Sequence, residues 1–308
     1  MSQDTPARPP VTVGKLLRAL RAFSLPASVG PVLVATAAAE SASRWRWDVM
    51  VISALGAAML HLAGNLLNDY FDFRSGVDSK ADDDPSRPGR LLVRRELLPG
   101  DVLAEALACL LLGGLAAAYL VWQVGPALLW FALAGAGGLY AYTGPPFRLK
   151  YHAAGEPLIF VVFGPLLMTA AAWAQTGGFN MRAFALSIPV GLATTAILAG
   201  NSYRDRLEDS QAGIRTLGQF AHGQVARAAY VALVLASVVG IAAIGLSGLG
   251  PKMLVLAPAA LVLLHKPLAA MYRGRRLPDI DVHTARFEGV LLLLVFAAYV
   301  LWPVVGPE

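Results

Sequence analysis

Two short strings of oxygen-bearing side chains are the most chemically suggestive feature of this sequence. The first, in NLLNDYFDFRSGVD, supplies Asn65, Asn68, Asp69, Asp72 and Asp78. The second, in NSYRDRLEDSQAGIRTL, supplies Asn201, Asp205 and Asp209. Both begin from the same string, LAGN-x-x-x-D, which recurs 136 residues along the chain. Residues four apart share a helix face, so Asn65 pairs with Asp69, Asn68 with Asp72, and Asn201, Asp205 and Asp209 form one line. Carboxylates this close repel one another, and near low dielectric they call for a cation. Magnesium suits them, because it takes oxygen ligands and typically binds one or two carboxylates together with substrate phosphates and water. Two such clusters facing each other could hold two ions and, through them, a diphosphate, with Arg74, Arg87, Lys150 and Arg215 as basic candidates to complete the clamp. One motif alone would be explained equally well as helix capping. Two motifs at equivalent helix ends weigh against that reading. Asp82, Asp83 and Asp84 lie in a loop with Pro85 and Pro88 and read as solvated surface.

The elements that must position these residues are membrane helices. The chain has 308 residues, 56% hydrophobic and only 15% charged, more apolar surface than a soluble domain of this size can bury. Nine apolar runs appear, starting near Phe23, Val49, Val102, Ala127, Pro157, Phe184, Ala228, Met253 and Gly289. Each approaches the roughly 20 residues needed to cross hydrocarbon as a helix. The expected fold is therefore all-α and polytopic, with nine transmembrane helices arranged as two four-helix units plus one. The runs at Ala127 and Phe184 are the shortest. Residues 1–15 read as a disordered cytoplasmic tail without a signal-peptide cleavage pattern, and residues 16–308 as a single transmembrane domain. With nine crossings, 21 of the 25 Lys and Arg residues fall on the face shared with the N-terminus; only Arg44, Arg46, Arg182 and Lys252 fall on the other. Cationic loops stay inside, which places the N-terminus in the cytoplasm and the C-terminus outside. The net charge of +5 then reflects topology and needs no nucleic-acid partner. No protein partner is implied either. The single cysteine, Cys109, lies inside an apolar run, excludes an intrachain disulfide and reads as a packing residue.

The same strings resemble the UbiA superfamily of intramembrane prenyltransferases, and within it the menaquinone-branch enzymes that prenylate 1,4-dihydroxy-2-naphthoate. The resemblance runs through RAFSLPASVGPVLVATA, AGNLLNDYFDFRSGVD, PSRPGRLL, YTGPPFRLKYHAAGEPLIFVVFGP, RDRLEDSQAGIRTL and TARFEG. It implies helices around a central cavity capped on the cytoplasmic side, with the prenyl chain running toward lipid. It implies that Asn68, Asp69 and Asp72, with Asp205 and Asp209, bind the magnesium ions that carry a prenyl diphosphate, the four aspartates being the catalytic set. Asn65, Asn68 and Asn201 would assist, with Arg87 and Lys150 on phosphate oxygens and Tyr142 as a possible hydrogen-bond donor. It further implies an aromatic acceptor, a lipid bilayer as setting, and a bacterial cytoplasmic (inner) membrane as location. Three departures bear on the branch, one of them Ser202 where menaquinone enzymes often carry a second asparagine. Gly76 stands where many members carry a third aspartate, and Ile214 where many menaquinone enzymes carry a lysine.

Several residues have quieter explanations. His61 shares the Asn65 face and reads as a satisfied helix histidine. Glu156 opens a helix, where an acid complements the dipole, and the resemblance gives a functional role equal weight. Tyr140 reads as an interfacial anchor. Alternative functions keep the same motifs: 4-hydroxybenzoate or homogentisate prenylation, or cyclisation of a prenyl diphosphate. A secondary transporter is a further alternative, but its ionisable residues belong near the bilayer midplane.

Overall fold

The computed structural model describes residues 11–40, 44–77, 91–275 and 277–305. The N-terminal segment is more ordered than the sequence suggests, because helix α1 spans Val13–Leu20 and takes in the last three residues of the expected tail. Leu16, Leu17 and Leu20 give it an apolar side, and the basic Arg18 lies in its last turn. Arg21 then adopts a left-handed backbone (φ 52), a 3-10 turn follows at Ala22–Ser24, and α2 runs over Pro26–Ala39. Proline at its first position suits a helix start.

Helix α3, Trp47–Ser75, carries the first motif within it. The motif is thus not a segment following a shorter helix. Helix α4, Pro99–Val124, is started by Asp101, whose carboxylate accepts from the Leu98 N–H at 3.1 Å. Helix α5 spans Ala127–Thr143. Next come α6, Gly155–Val161, a wider π turn at Val162–Leu166, and α7, Leu167–Thr176, which together make one continuous span. Pro165 lies in that π turn, where its missing N–H is tolerated. Helix α8, Met181–Gln211, is capped by Asn180 and carries the second motif. Helix α9 covers Gln224–Leu246, a tightly wound Lys252–Leu264 leads into α10, His265–Tyr272, and α11 spans Ile280–Val305.

Seven helical segments among the described residues are long and apolar enough to cross a membrane, or eight if α1 and α2, bent by 48°, count as one span. All nine apolar runs lie on helices, but the fourth expected crossing, α5, has only 17 residues. At 1.5 Å per residue it falls a few ångströms short of a typical hydrocarbon core. The run near Phe184, expected to be weak, belongs instead to the longest helix of the fold. Large apolar side chains such as Leu111, Trp122, Trp130, Leu246 and Leu293 are exposed on the outside, as a lipid-facing surface requires.

The buried apolar residues gather in two main clusters of unequal size among the described residues. One cluster gathers Leu62, Leu66, Leu91, Leu97, Val102 and Ala106 from α3, α4 and the segment between them, with α1 packed against it. The larger cluster unites α2 with α7, α8, α9 and α11. Its small residues let α2, with Val32, Val34, Ala35 and Ala37, pack with the C-terminal half. Close approach also fixes the π turn on α8. A Cβ at Gly164 would sit 2.6 Å from the Ser187 carbonyl and 2.9 Å from the Gly191 Cα.

Candidate active site

Both motif-bearing helices open on one cavity of about 640 Å³. It is lined by Asn65, Asn68 and Asp72 from α3, by Asn201, Asp205 and Asp209 from α8, and by Lys150, Glu156 and Tyr142. Phe131, Leu158, Ile159, Phe163, Leu166 and Leu167 give the same cavity apolar walls.

Lys150 and its neighbour Tyr151 come from the loop between α5 and α6. Arg148 and Ala153, both left-handed (φ 46 and 54), turn the chain on either side of them. That loop is bonded to the one following α8. The Ala153 N–H donates to the Arg215 carbonyl at 2.8 Å, and the Arg215 N–H to the Tyr151 carbonyl at 3.1 Å. The second loop is pressed onto α8 at Gly218, where a Cβ would lie 2.1 Å from the Ser202 carbonyl. These contacts set both loops as a lid over the two helix ends.

Within this frame Lys150 Nζ donates to Asp72 Oδ2 at 2.6 Å and to Asn68 Oδ1 at 3.1 Å, and the Tyr151 hydroxyl donates to the other Asp72 oxygen. Burial alone would lower the Lys150 ammonium, but the adjacent Asp72 carboxylate more than offsets it and holds it above the ordinary lysine value. Burial, reinforced by the charge of Asp72, pushes the Tyr151 phenol up, which keeps it a donor. Asp69 is buried, does not line the cavity, and pairs with Arg21 from the α1–α2 bend. Asn65 donates to the Leu20 carbonyl at 3.1 Å and to the Ser24 hydroxyl at 3.2 Å, so it ties this bend to α3.

The second motif is held differently. Asp205 accepts from Arg204 Nε at 2.7 Å and Nη2 at 2.9 Å. Asp209 accepts from the Thr216 hydroxyl at 2.7 Å. Asn201 turns to the cavity, and among the described residues its buried Oδ1 has no hydrogen-bond partner. Glu156, at the start of α6, accepts from Ser202 at 2.8 Å.

The structure therefore gathers Asn65, Asn68, Asp72, Lys150, Tyr142, Asn201, Asp205 and Asp209 around one space and sets Asp69 behind it. Arg87, Asp78 and the Asp82–Asp84 run lie outside the described residues. Arg74 and Arg215 are exposed and do not line the cavity; Arg18, Arg21, Arg94 and Arg204 do. The sequence reading missed Arg21, Tyr151, Arg204 and Thr216. A signal existed for Arg204, which adjoins an expected ligand, and for Arg18 and Arg21, spaced i, i+3 before a proline-started helix. His61 lines the cavity with its ring nitrogens 3.1 and 3.3 Å from the hydroxyls of Ser28 and Ser24. Tyr140 donates to the Pro145 carbonyl at 2.8 Å at an exposed position.

Comparison with known proteins bears on this geometry. The sequence model of the UbiA prenyltransferase family matches residues 28–296. UbiA prenyltransferase domain-containing protein 1 of Rattus norvegicus is 39% identical over 204 residues, covering 65% of this chain and 58% of that protein. The protein of the same name from Homo sapiens is 38% identical over 206 residues, again covering 65% of this chain and 58% of the relative. The chain thus spans under two thirds of the length of the curated relatives it matches. Among solved structures, a UbiA homolog from Archaeoglobus fulgidus bound to GPP and Mg2+ superimposes with a TM-score of 0.68 at 16% identity, over 93% of this chain and 99% of that one. An apo UbiA homolog from Aeropyrum pernix K1 gives 0.65 at 17% identity, over 95% and 99%. At such identities the likeness is one of fold.

Proposed function

The chain belongs to the UbiA prenyltransferase family, and on that premise we propose that it transfers a prenyl group from a polyprenyl diphosphate to an aromatic acceptor, with magnesium at the two aspartate clusters. The observation that carries this reading is the meeting of Asp72, Asp205 and Asp209 on one cavity with Lys150 among them and apolar walls beside them. Among the described residues no group of three or more His, Cys, Asp or Glu side chains forms a ready metal cage. That donor set fits magnesium, which needs only one or two carboxylates from protein and completes its shell with phosphate and water. The Asn201 Oδ1, unpartnered among the described residues, adds a neutral oxygen to the cavity, where a ligand would satisfy it.

Asp72, Asp205 and Asp209 would hold the ions, with Asn68 and Asn201 assisting and Asp69 supporting from behind through Arg21. When bound, magnesium supplies the charge neutralisation that lets the diphosphate leave. Lys150, kept charged by Asp72, is placed to shift toward phosphate oxygens. Tyr151 keeps the Asp72 carboxylate in one orientation while that happens, and Asn68 holds the Lys150 ammonium from its other side. Leu158, Ile159, Phe163 and their neighbours exclude water from the allylic carbon, so that an electron-rich ring carbon is what meets it. Arg87 remains a proposed phosphate contact from sequence.

For the acceptor we propose 1,4-dihydroxy-2-naphthoate, supported by the G-x-D ending of the first motif, YTGPP and AGIRTL. 4-Hydroxybenzoate, homogentisate or cyclisation without an acceptor are the alternatives. The proposed setting is a bacterial cytoplasmic membrane with the lid loops inside, supported by the distribution of basic residues. The decisive experiment incubates purified protein with prenyl diphosphates and a panel of phenolic and naphthoic acids, followed by mass spectrometry. A prenylated naphthoquinol product is expected. A prenylated benzoate or a cyclic hydrocarbon would replace the acceptor assignment, and no turnover of any diphosphate would overturn the reading.

A further inference from the structure

We propose that Asp281 is a positioning residue for the second aspartate cluster: it is the alternative seat that holds Arg204 when Asp205 turns to a divalent cation. This rests on the metal reading above. Side chains at successive helix positions do not face one another, yet Arg204 folds back onto its neighbour and occupies both oxygens of Asp205. An oxygen bound in this way by guanidinium N–H groups is poorly available to a metal. For Asp205 to become a ligand, Arg204 must give up at least one of these bonds. Left unpaired, it would set a positive charge against the arriving ion.

The remaining contacts of the guanidinium prevent that. Arg204 Nη1 lies 2.9 Å from Asp281 Oδ2 and donates to the Pro278 carbonyl at 3.3 Å. Asp281 is itself fixed, because its Oδ1 accepts from the Val282 N–H at 2.9 Å in the first turn of α11. Arg204 and Asp281 are both nearly buried, with side-chain exposures of 14% and 13%. Arg204, Asp205, Pro278 and Asp281 all line the same cavity. Arg204 can thus rotate its contacts toward Asp281 and Pro278 without moving into solvent. The segment before α11 becomes part of the site's electrostatics although it carries none of the aspartate motifs.

The test is binding of Mn2+ as the probe ion, followed by the electron paramagnetic resonance signal of free Mn2+, on the full chain in detergent. Thermal stability is read separately in metal-free buffer. Asp281→Asn keeps the shape and removes the charge; it should weaken Mn2+ binding by roughly tenfold, the scale on which one neighbouring charge shifts an ionic equilibrium. Arg204→Gln takes the guanidinium off both Asp205 oxygens, so it should bind Mn2+ more tightly than the parent. Adding Asp281→Asn to that background should then change affinity by less than about twofold, since the group it acts through is gone. A merely structural Asp281 would lower metal-free stability while leaving Mn2+ affinity untouched, and that result would overturn the assignment. So would an equal loss of affinity in both backgrounds. A parent protein that binds no Mn2+ would instead overturn the metal reading itself.

Discussion

The ends of α3 and α8 look like copies of each other in sequence, but they are charge-balanced in opposite ways. On α3, the partners come from elsewhere in the fold: Lys150 and Tyr151 reach Asp72 from the α5–α6 loop, and Arg21 reaches Asp69 from the α1–α2 bend. On α8, the adjacent Arg204 covers Asp205, and the nearby hydroxyl of Thr216 reaches Asp209. The first arrangement is locked by long-range packing. The second depends on nearby side chains that can rearrange without moving a helix.

A one-residue slip underlies the contrast. Asn65 and Asp69 match Asn201 and Asp205 at an offset of 136, but Asp72 matches Asp209 at 137. Carboxylates three apart are turned by about 60° to one side on a helix, and those four apart by about 40° to the other. In α3 only Asp72 lines the cavity, whereas in α8 both Asp205 and Asp209 do.

The sharpest way to break the comparison is to remove what both clusters are proposed to share. Chelation with EDTA should abolish turnover, and added Mg2+ should restore it. Full activity in metal-free buffer would leave the two helix ends with no common task. Next in size are the aspartates themselves. Asp72→Ala and Asp205→Ala should each cost roughly 1000-fold in initial rate, and the double variant should be little worse, because groups acting as a unit are strongly non-additive. A near-parental Asp205→Ala enzyme would reduce the α8 motif to a structural cap.

A smaller effect sharpens the difference between locked and local balance. Lys150→Met removes the long-range cation from Asp72 and should lower kcat by roughly 100-fold. Asp69→Asn acts from behind the cavity and should cost only about tenfold, mainly through the α1–α2 bend it holds. Rates measured on both purified variants decide this. An Asp69→Asn loss as large as that of Asp72→Ala would move Asp69 from support to ligand.

The sequence made the helices and the oxygen clusters legible because both are local patterns, apolar runs of membrane length and i, i+4 spacing. It also exposed a basic asymmetry, from which a common cytoplasmic face for both motifs is expected. What it hid depends on contacts between distant segments. Tyr151 and Thr216 become site residues only because two loops are bonded through Ala153 and Arg215. Arg21 and Asp69 are 48 positions apart and meet through a left-handed turn at Arg21 itself. Arg204 and Asp281 are brought together by the entry of α11. The α1 helix was missed because eight residues, including Lys15 and Arg18, lie outside the apolar run that marks α2.

The smallest expected effect concerns how the two helices stop. In both, a glycine stands four residues after a cavity-lining aspartate of the motif, Gly76 after Asp72 and Gly213 after Asp209, and both glycines are left-handed (φ 76 and 71). In both, the carbonyl of that aspartate accepts the N–H five residues on, from Val77 at 3.0 Å and from Ile214 at 3.1 Å. This is the Schellman arrangement, in which a left-handed glycine closes the helix. It also explains Gly76 where relatives of the resembled pattern carry an aspartate: here the position ends the helix. Among the described residues a Cβ at either glycine would meet no atom within 4 Å, so the cost of substitution is backbone strain. Gly76→Ala and Gly213→Ala should therefore each destabilise by about 1 kcal/mol. In a chain of this size that lowers the melting temperature by about 2 °C. Asparagine, which tolerates the left-handed region better, should recover part of each loss. Equal shifts would mean that the two helix ends share one terminating geometry despite their different charge balance. A loss confined to Gly76 would mean that α8 is closed by its loop, through Gly218 pressed on Ser202, and that the likeness of the two ends stops at the side chains.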